Sequence, residues 1–181
     1  MKTIKNPQDY IIAVQDGVRP FIKEDFINGA YDTLLKEEID GIVTAVPVKD
    51  TVKVIDENGF IVKTPKRSSI YLAQTPQVFK GEVLKKAYEL AEKEEFLGTD
   101  DSSLVERIGG KVKVLEGSYD NIKITTVEDL IYFTDKYKEI IGGELTADSM
   151  PLLTGEQHSL LAYQLLRDEL MEGGFCQLIQ N

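Results

Sequence analysis

One cysteine, Cys176, and one histidine, His158, are all the chain has of either, and both lie in its last quarter. A single thiol cannot close an internal disulfide, so a stapled extracellular fold is excluded. The lone histidine leaves no Ser-His-Asp or Cys-His arrangement in the middle of the chain and no His/Cys cluster for zinc. Long apolar runs are also missing: nothing reaches the roughly 18 residues that a membrane-spanning helix needs. The opening "MKTIKNPQDY" lacks the apolar region of an export signal. A cytoplasmic protein with no membrane contact is the expectation. Positive charge is scarce as well, since 21 Lys and Arg against 31 Asp and Glu leave a net charge of −10. That balance argues against a general nucleic-acid surface. Any chemistry must therefore run on carboxylates, lysines, arginines and hydroxyls, and any phosphate site must be locally basic.

What remains is enough for one good core, with 181 residues, 42% hydrophobic and 29% charged. "YIIAVQD", residues 10–16, is a near-continuous apolar run ending in an acid, as a parallel strand buried on both faces would be. "IKEDFINGAYDTLLKE" reads as an amphipathic helix with Glu24 and Asp25 in its first turn, and "GIVTAVPV" as another buried strand. Strand, helix and strand in that order predict a crossover and a parallel sheet. "TVKVIDENGFIVKT", residues 51–64, breaks the pattern with two alternating strands meeting at Asn58-Gly59, a hairpin signal. A two-stranded ribbon is marginal alone in water, so this arm, about residues 50–70, is expected to lie on something, plausibly a second copy of the chain.

"IYLAQTPQVF" reads as a strand running into a proline-punctuated loop, "KGEVLKKAYELAEKEE" as a helix and "TDDSSLVERIGG" as a shorter capped helix. "KVKVLEG" and "NIKIT" read as further strands, and a helix over 126–141 closes an α/β domain at residues 1–141. Residues 142–181 form a separate helical tail, with a capping box at Thr154 and Gln157. The fold class expected is thus α/β, a partial doubly wound, mostly parallel sheet with a projecting hairpin arm and a C-terminal helical tail.

"EGSYDNIKITTVEDL", residues 116–130, raises the functional question. Lys123 alone reads as a solvated lysine on a half-exposed strand. Thr125 and Glu128, however, form a T-x-x-E box, which starts a helix beside that lysine. A strand ending in a cation and a helix N-terminus is where α/β proteins collect phosphate.

Five stretches in order, "QDGVRPF", "VPVKDTVKV", "TPKRSSIYLAQTPQVF", "GTDDSSLVE" and "EGSYDNIKITTVEDL", resemble the 2-C-methyl-D-erythritol 4-phosphate cytidylyltransferases of isoprenoid precursor synthesis. The resemblance covers roughly residues 5–140, and relatives acting on ribitol 5-phosphate share much of it. It implies a doubly wound α/β sheet, a homodimer formed through the β-arm, and transfer of CMP from CTP to the sugar-alcohol phosphate with Mg²⁺ present and pyrophosphate leaving. No covalent nucleophile is needed, which suits a chain so poor in histidine and cysteine. By the same resemblance, Lys123 reaches the phosphates with Thr125 beside it. Asp16 stands near the metal and nucleotide, the other reading being a helix-capping acid. Arg19 is a neighbouring structural or nucleotide-side cation. Arg67 comes from the arm to hold the acceptor's phosphate in the partner subunit's site. Thr75 and Thr99 complete the substrate pocket, with Thr99 alternatively only a helix cap.

The chain departs from that pattern in places. A glycine-rich loop carrying arginine and lysine, which wraps the triphosphate in the family, has no counterpart here, so this chain alone is expected to turn over CTP poorly or not at all. Gln15 stands where the family commonly has histidine, and Val127 where it commonly has proline. The tail "LTGEQHSLLAYQLLRDELMEGGFCQLIQN" resembles the beginning of a family of small acidic helical proteins, one of them described as a DNA mimic. The alternative functions are a ribitol-5-phosphate cytidylyltransferase and a non-catalytic remnant serving as a dimerising or protein-binding module.

Overall fold

A computed structural model describes residues 10–126 together with 128, 129, 132, 133, 135 and 136. Its elements are β1 (Ile11–Val14), α1 (Glu24–Lys36), β2 (Gly41–Pro47), β3 (Val54–Ile55), β4 (Ile61–Lys63), β5 (Tyr71–Lys80), α2 (Gly81–Lys93), α3 (Asp101–Arg107) and β6 (Val112–Glu116), with a 3-10 turn at Arg67–Ser69. The tail expected over 142–181 and the end of the helix expected over 126–141 lie outside the described residues. No helix among the described residues is long and apolar enough to cross a membrane.

The chain forms two compact units. One holds residues up to Gln15 and Lys23–Asp120, and the other holds Asp16–Ile22 and the residues from Asn121 on. The first contains a four-stranded sheet in the order β1-β5-β2-β6. β5 runs antiparallel to both β1 and β2, and β2 runs parallel to β6. Three strands thus point one way and β5 the other, which makes the α/β sheet mixed. β1 and β2 do share a direction, as the strand-helix-strand reading expects, but β5 lies between them. β1 is accordingly an edge strand, half-buried, and not a parallel strand covered on both faces. β2 matches its expectation, with Gly41–Val46 all buried.

β5 also departs from the sequence reading, running as one strand through Thr75-Pro76, a cis peptide bond. A proline has no N–H to give the ladder. The register shift between Val43 and Ala45 accommodates it, and Thr44 Oγ1 donates to the Pro76 carbonyl at 2.9 Å within the sheet. "NIKIT" is not a strand. Ile124 N donates to Val18 O at 2.9 Å instead of joining the sheet.

Helices cover both sheet faces. Ala30 and Leu34 of α1 pack on Ile42 and Val78, while Leu84, Ala87 and Ala91 of α2 and Leu104 and Val105 of α3 pack on Phe79. Alternation along β5 sends Val78 to one face and Phe79 to the other. Gly41 is required where it is, because a Cβ there would collide with the Phe79 ring.

The hairpin of β3 and β4 is present, but its turn is built differently from a two-residue Asn-Gly turn. Gly59 N donates to Asp56 O, Asp56 N donates to Phe60 O, and Gly59 alone takes a left-handed φ of 84°. This is a three-residue loop with a glycine bulge. The Asp56 carboxylate secures it by accepting from Asn58 N and Phe60 N.

α3 starts on Asp100, whose side chain accepts from Ser103 N while Ser103 Oγ accepts from Asp100 N. Gln77 Nε2 and Ser102 Oγ donate to the same carboxylate. Burial pushes the Asp100 carboxyl up, but the hydrogen bonds from Gln77, Ser103 and Ser102 outweigh it and hold the group below the usual aspartate range. Asp100→Ala is expected to cost about 1–2 kcal/mol near neutral pH. Because the folded value is depressed, that contribution is complete above the unfolded aspartate value of about 3.9 and fades as pH falls through the folded value. Denaturant midpoints of parent and variant should therefore draw together as pH is lowered from the unfolded aspartate value of about 3.9 through the folded one. A gap that persists or widens there would show that the carboxylate is not the stabilising form.

Candidate functional site

The second unit brings together residues far apart in sequence. "DGVR" closes a turn in which Arg19 N donates to Asp16 O at 3.1 Å, with aspartate at the position such turns favour. Pro20, buried, fixes the exit of the turn. Phe21 then stacks on buried Phe133 with ring centroids 5.3 Å apart, which seats the loop on the helix after Thr126. Together with the Ile124–Val18 backbone bond, these contacts fix the loop against residues 121–124.

Within that frame Asp16 Oδ2 lies 3.3 Å from Lys123 Nζ and 3.3 Å from Arg19 Nε. Arg19 is held further by donating from Nη1 to the Asn121 carbonyl at 2.7 Å. Its side chain is only 11% exposed, whereas that of Lys123 is 47% exposed. One carboxylate thus serves two cations, and the cluster is net positive in a chain of net charge −10. The arginine orders the carboxylate and the lysine presents its charge to solvent, as a phosphate-binding group must.

Helix entry differs from the T-x-x-E expectation. The Asp129 carboxylate, not Glu128, accepts from the backbone N–H of Thr125 and Thr126 at 3.0 and 2.8 Å, and from both their hydroxyls at 3.1 and 3.0 Å. Asp129 N donates back to Thr126 Oγ1, so Thr126 is the cap. The Thr125 N–H is the first cause holding the Asp129 carboxyl below the usual aspartate pKa range, with the Thr126 N–H and both hydroxyls adding to it against slight burial. Thr125, next to Lys123 but one, therefore has its hydroxyl oriented by Asp129.

The structure brings together Asp16, Arg19 and Lys123 of the residues singled out in sequence, with Thr125 following Lys123 in the same unit. Arg67, Thr75 and Thr99 belong to the other unit. Arg67 is exposed at the base of the arm and donates from Nη1 to the Lys49 carbonyl at 2.9 Å. Thr75 is buried in β5, and exposed Thr99 precedes the true cap of α3, Asp100. Asp16 does not cap α1, whose N-cap is Lys23. Sequence reasoning missed Asn121 and Asp129. The first acts through a backbone carbonyl, which no side-chain pattern reveals, and the second was legible as T-x-x-D one residue along.

The family model described as IspD, 2-C-methyl-D-erythritol 4-phosphate cytidylyltransferase, matches residues 1–135. The chain is 48% identical over 130 residues to the protein of that name from Fusobacterium nucleatum, covering 72% of this chain and 55% of the relative. It is 51% identical over 121 residues to the one from Geobacter metallireducens, covering 67% and 51%. Its structure is similar to that of 4-diphosphocytidyl-2C-methyl-D-erythritol synthase from Anaerococcus prevotii, with a TM-score of 0.69 at 39% identity over 76% of this chain and 60% of that one. The cytidylyltransferase of Francisella tularensis gives a TM-score of 0.66 at 34% identity, over 73% and 62%. The chain spans about half the length of the curated relatives it matches. By the family match over residues 1–135, this chain belongs to the IspD family.

Proposed function

We propose that the chain takes part in transferring CMP from CTP to 2-C-methyl-D-erythritol 4-phosphate. The single observation that carries this reading is the net-positive cluster in which Asp16 holds Arg19 and a half-exposed Lys123. In the reaction a phosphate oxygen of the acceptor bonds to the α-phosphorus of CTP, the bond from that phosphorus to the bridging oxygen breaks, and pyrophosphate leaves. Such transfer depends on position and on cations set against oxygens where charge gathers. Lys123 supplies that charge, and its ion pair with Asp16 is exposed enough to contribute about 0–1 kcal/mol, so a phosphate oxygen displaces it cheaply. Arg19 keeps Asp16 in place, Thr125, whose hydroxyl donates to Asp129, is assigned to the substrate side beside Lys123, and Arg67 offers a forked donor suited to the acceptor's phosphate. Thr75 and Thr99 are assigned to the substrate pocket.

The donor set suits Mg²⁺ arriving with a nucleotide. Asp16 supplies a hard oxygen ligand, and among the described residues no three His, Cys, Asp or Glu side chains form a cage. Mg²⁺ is typically held by one or two carboxylates with the substrate's phosphates completing its shell. Asp16 would hold the ion, which when bound would neutralise charge on the triphosphate.

The test is pyrophosphate release from CTP, methylerythritol phosphate and Mg²⁺ by the purified chain. Release is expected to require both substrates and, with no triphosphate-wrapping loop in these residues, to run far below the enzymatic median of about 10 per second. Release without the acceptor would refute the assignment, and so would absence of any release together with no binding of methylerythritol phosphate in a calorimetric titration. A rate near the median would show that other residues do the work of the loop.

Partner contact is assigned to the arm. Val54, Ile55, Phe60, Ile61 and Val62 are all exposed on a ribbon with no core of its own. Replacing residues 51–70 with a short linker is expected to convert a homodimer to monomer or aggregate in light scattering. A dimer unchanged by the replacement would dispose of the idea.

A further inference from the structure

In the first unit a groove of about 1030 Å³ opens along α2 and the loop that follows it. Its wall is a stripe of α2 and the loop at three- and four-residue spacing, Tyr88, Glu89, Glu92 and Glu95, and Asp100 and Asp101 add two more carboxylates. One lysine, Lys85, stands among these five acids, and it pairs with Glu89 at 3.6 Å. The groove also holds apolar surface. Leu97 is 93% exposed, and Phe96 and Tyr88 are exposed beside it. Tyr88 is a fixed donor, because burial and its hydrogen bond to Asp101 push its hydroxyl up to about 12.

Two details indicate what suits this surface. The Arg107 guanidinium already stacks on Phe96, 4.2 Å from the ring centroid, while its Nη2 lies 2.7 Å from Glu94. A cation on an aromatic ring with a carboxylate beside it is therefore the local chemistry. Glu95, just past the C-cap Glu94 of α2, has a left-handed φ of 52°, and Phe96 N donates to the Ala91 carbonyl in the manner of a glycine-capped helix end. Glycine would sit there without strain, and the chain has a carboxylate instead.

We propose that this groove docks a basic amphipathic helical segment of a partner protein, its apolar side chains on Phe96 and Leu97 and its lysines or arginines against Glu89, Glu92 and Glu95. The part of the stripe on α2 runs about 10 Å from Lys85 to Glu92 at 1.5 Å per residue, some two turns of a partnering helix, and Glu95 extends it into the loop. Apolar contact supplies affinity in such a groove and the acid stripe supplies sign and register.

Fluorescence polarisation tests it, using a labelled helical peptide of about 15 residues with leucine on one face and lysine flanking it, and a control with glutamate for lysine. The intact chain is expected to bind the basic peptide with a Kd on the order of 10 µM and the acidic control at least about 10-fold more weakly. Leu97→Asp and the double variant Glu92→Lys, Glu95→Lys should each weaken binding about 10-fold. Glu95→Gly guards against a folding artefact, since it should raise Tm by about 2–4 °C while weakening the basic peptide roughly 3-fold. Equal binding of both peptides, or variants that bind as the parent does, would overturn the proposal. So would self-association of the chain that Leu97→Asp abolishes with no peptide bound, an outcome that gives the groove to a second copy.

Discussion

Lys123→Ala is expected to lower CMP transfer about 10²- to 10³-fold, the usual cost of removing one preorganised donor from a transition state with developing charge. That factor corresponds to about 2.7–4 kcal/mol of barrier. Stability should hardly move, because Lys123 is exposed and its ion pair with Asp16 is open to water. The decisive measurement is pyrophosphate release at saturating CTP and acceptor, with thermal melts beside it. Lys123→Arg should recover part of the loss, since it keeps the charge but changes the reach. Calorimetric titration with methylerythritol phosphate adds an arm that needs no turnover, and its signal should weaken in Lys123→Ala. Less than about a threefold change in both rate and binding would mean that Lys123 is only a solvated partner of Asp16.

The second large effect is structural. Phe79→Ala should destabilise the chain by about 3–5 kcal/mol, through lost burial and the cavity that remains. Phe79 is fully buried between Leu84, Ala87, Leu104 and Val105, and its ring covers the face of Gly41. Small domains hold only about 5–15 kcal/mol in total, so such a loss lowers Tm by roughly 6–20 °C. Leu35→Ala, on an exposed face of α1, serves as the comparison and should stay within about 0.5 kcal/mol of the parent. A Phe79→Ala loss below about 1 kcal/mol would show that the two helices and the sheet do not share the core described.

Sequence and structure agree where the signal is local. α1, α2 and α3 follow from apolar residues at helical spacing and acids in the first turn, and β2 from an unbroken apolar run. Disagreement begins where partners are distant. An apolar run such as "YIIAVQD" reads the same at an edge as in a centre, and only the return of β5 beside it decides which. Proline in "TPQVF" argues for a loop unless its own strand can bulge there, and what permits the bulge, Thr44 of β2 facing Gln74, Thr75 and Pro76 of β5, lies more than thirty positions earlier in the chain. "NIKIT" keeps the alternation of a strand, with Ile122 and Ile124 half-buried and Lys123 outward, while its backbone bonds to the Asp16 loop. In the candidate site, Asp16 and Lys123 were legible from a strand end, a helix start and the family resemblance, which implies that they meet, as they do at 3.3 Å. The bracing of Asp16 by Arg19 was not, because Arg19 is anchored on a backbone carbonyl at Asn121. Adjacent threonines facing adjacent acids offered two overlapping caps, and the backbone selected the one served by Asp129.

The placement of β5 also governs the order in which the sheet can assemble. Ile11 pairs with Lys80 and Gly41 with Phe79, so each early strand waits for an antiparallel neighbour that lies well beyond it in the chain. Closing a loop that long costs entropy before any contact rewards it. Until then β2 is six consecutive core residues that α1 can cover on one face only, the kind of stretch that finds wrong partners in crowded or overexpressing cells. Arrival of Gln77–Lys80 then completes both pairings at once, so the sheet forms around β5 and not by growth from β1.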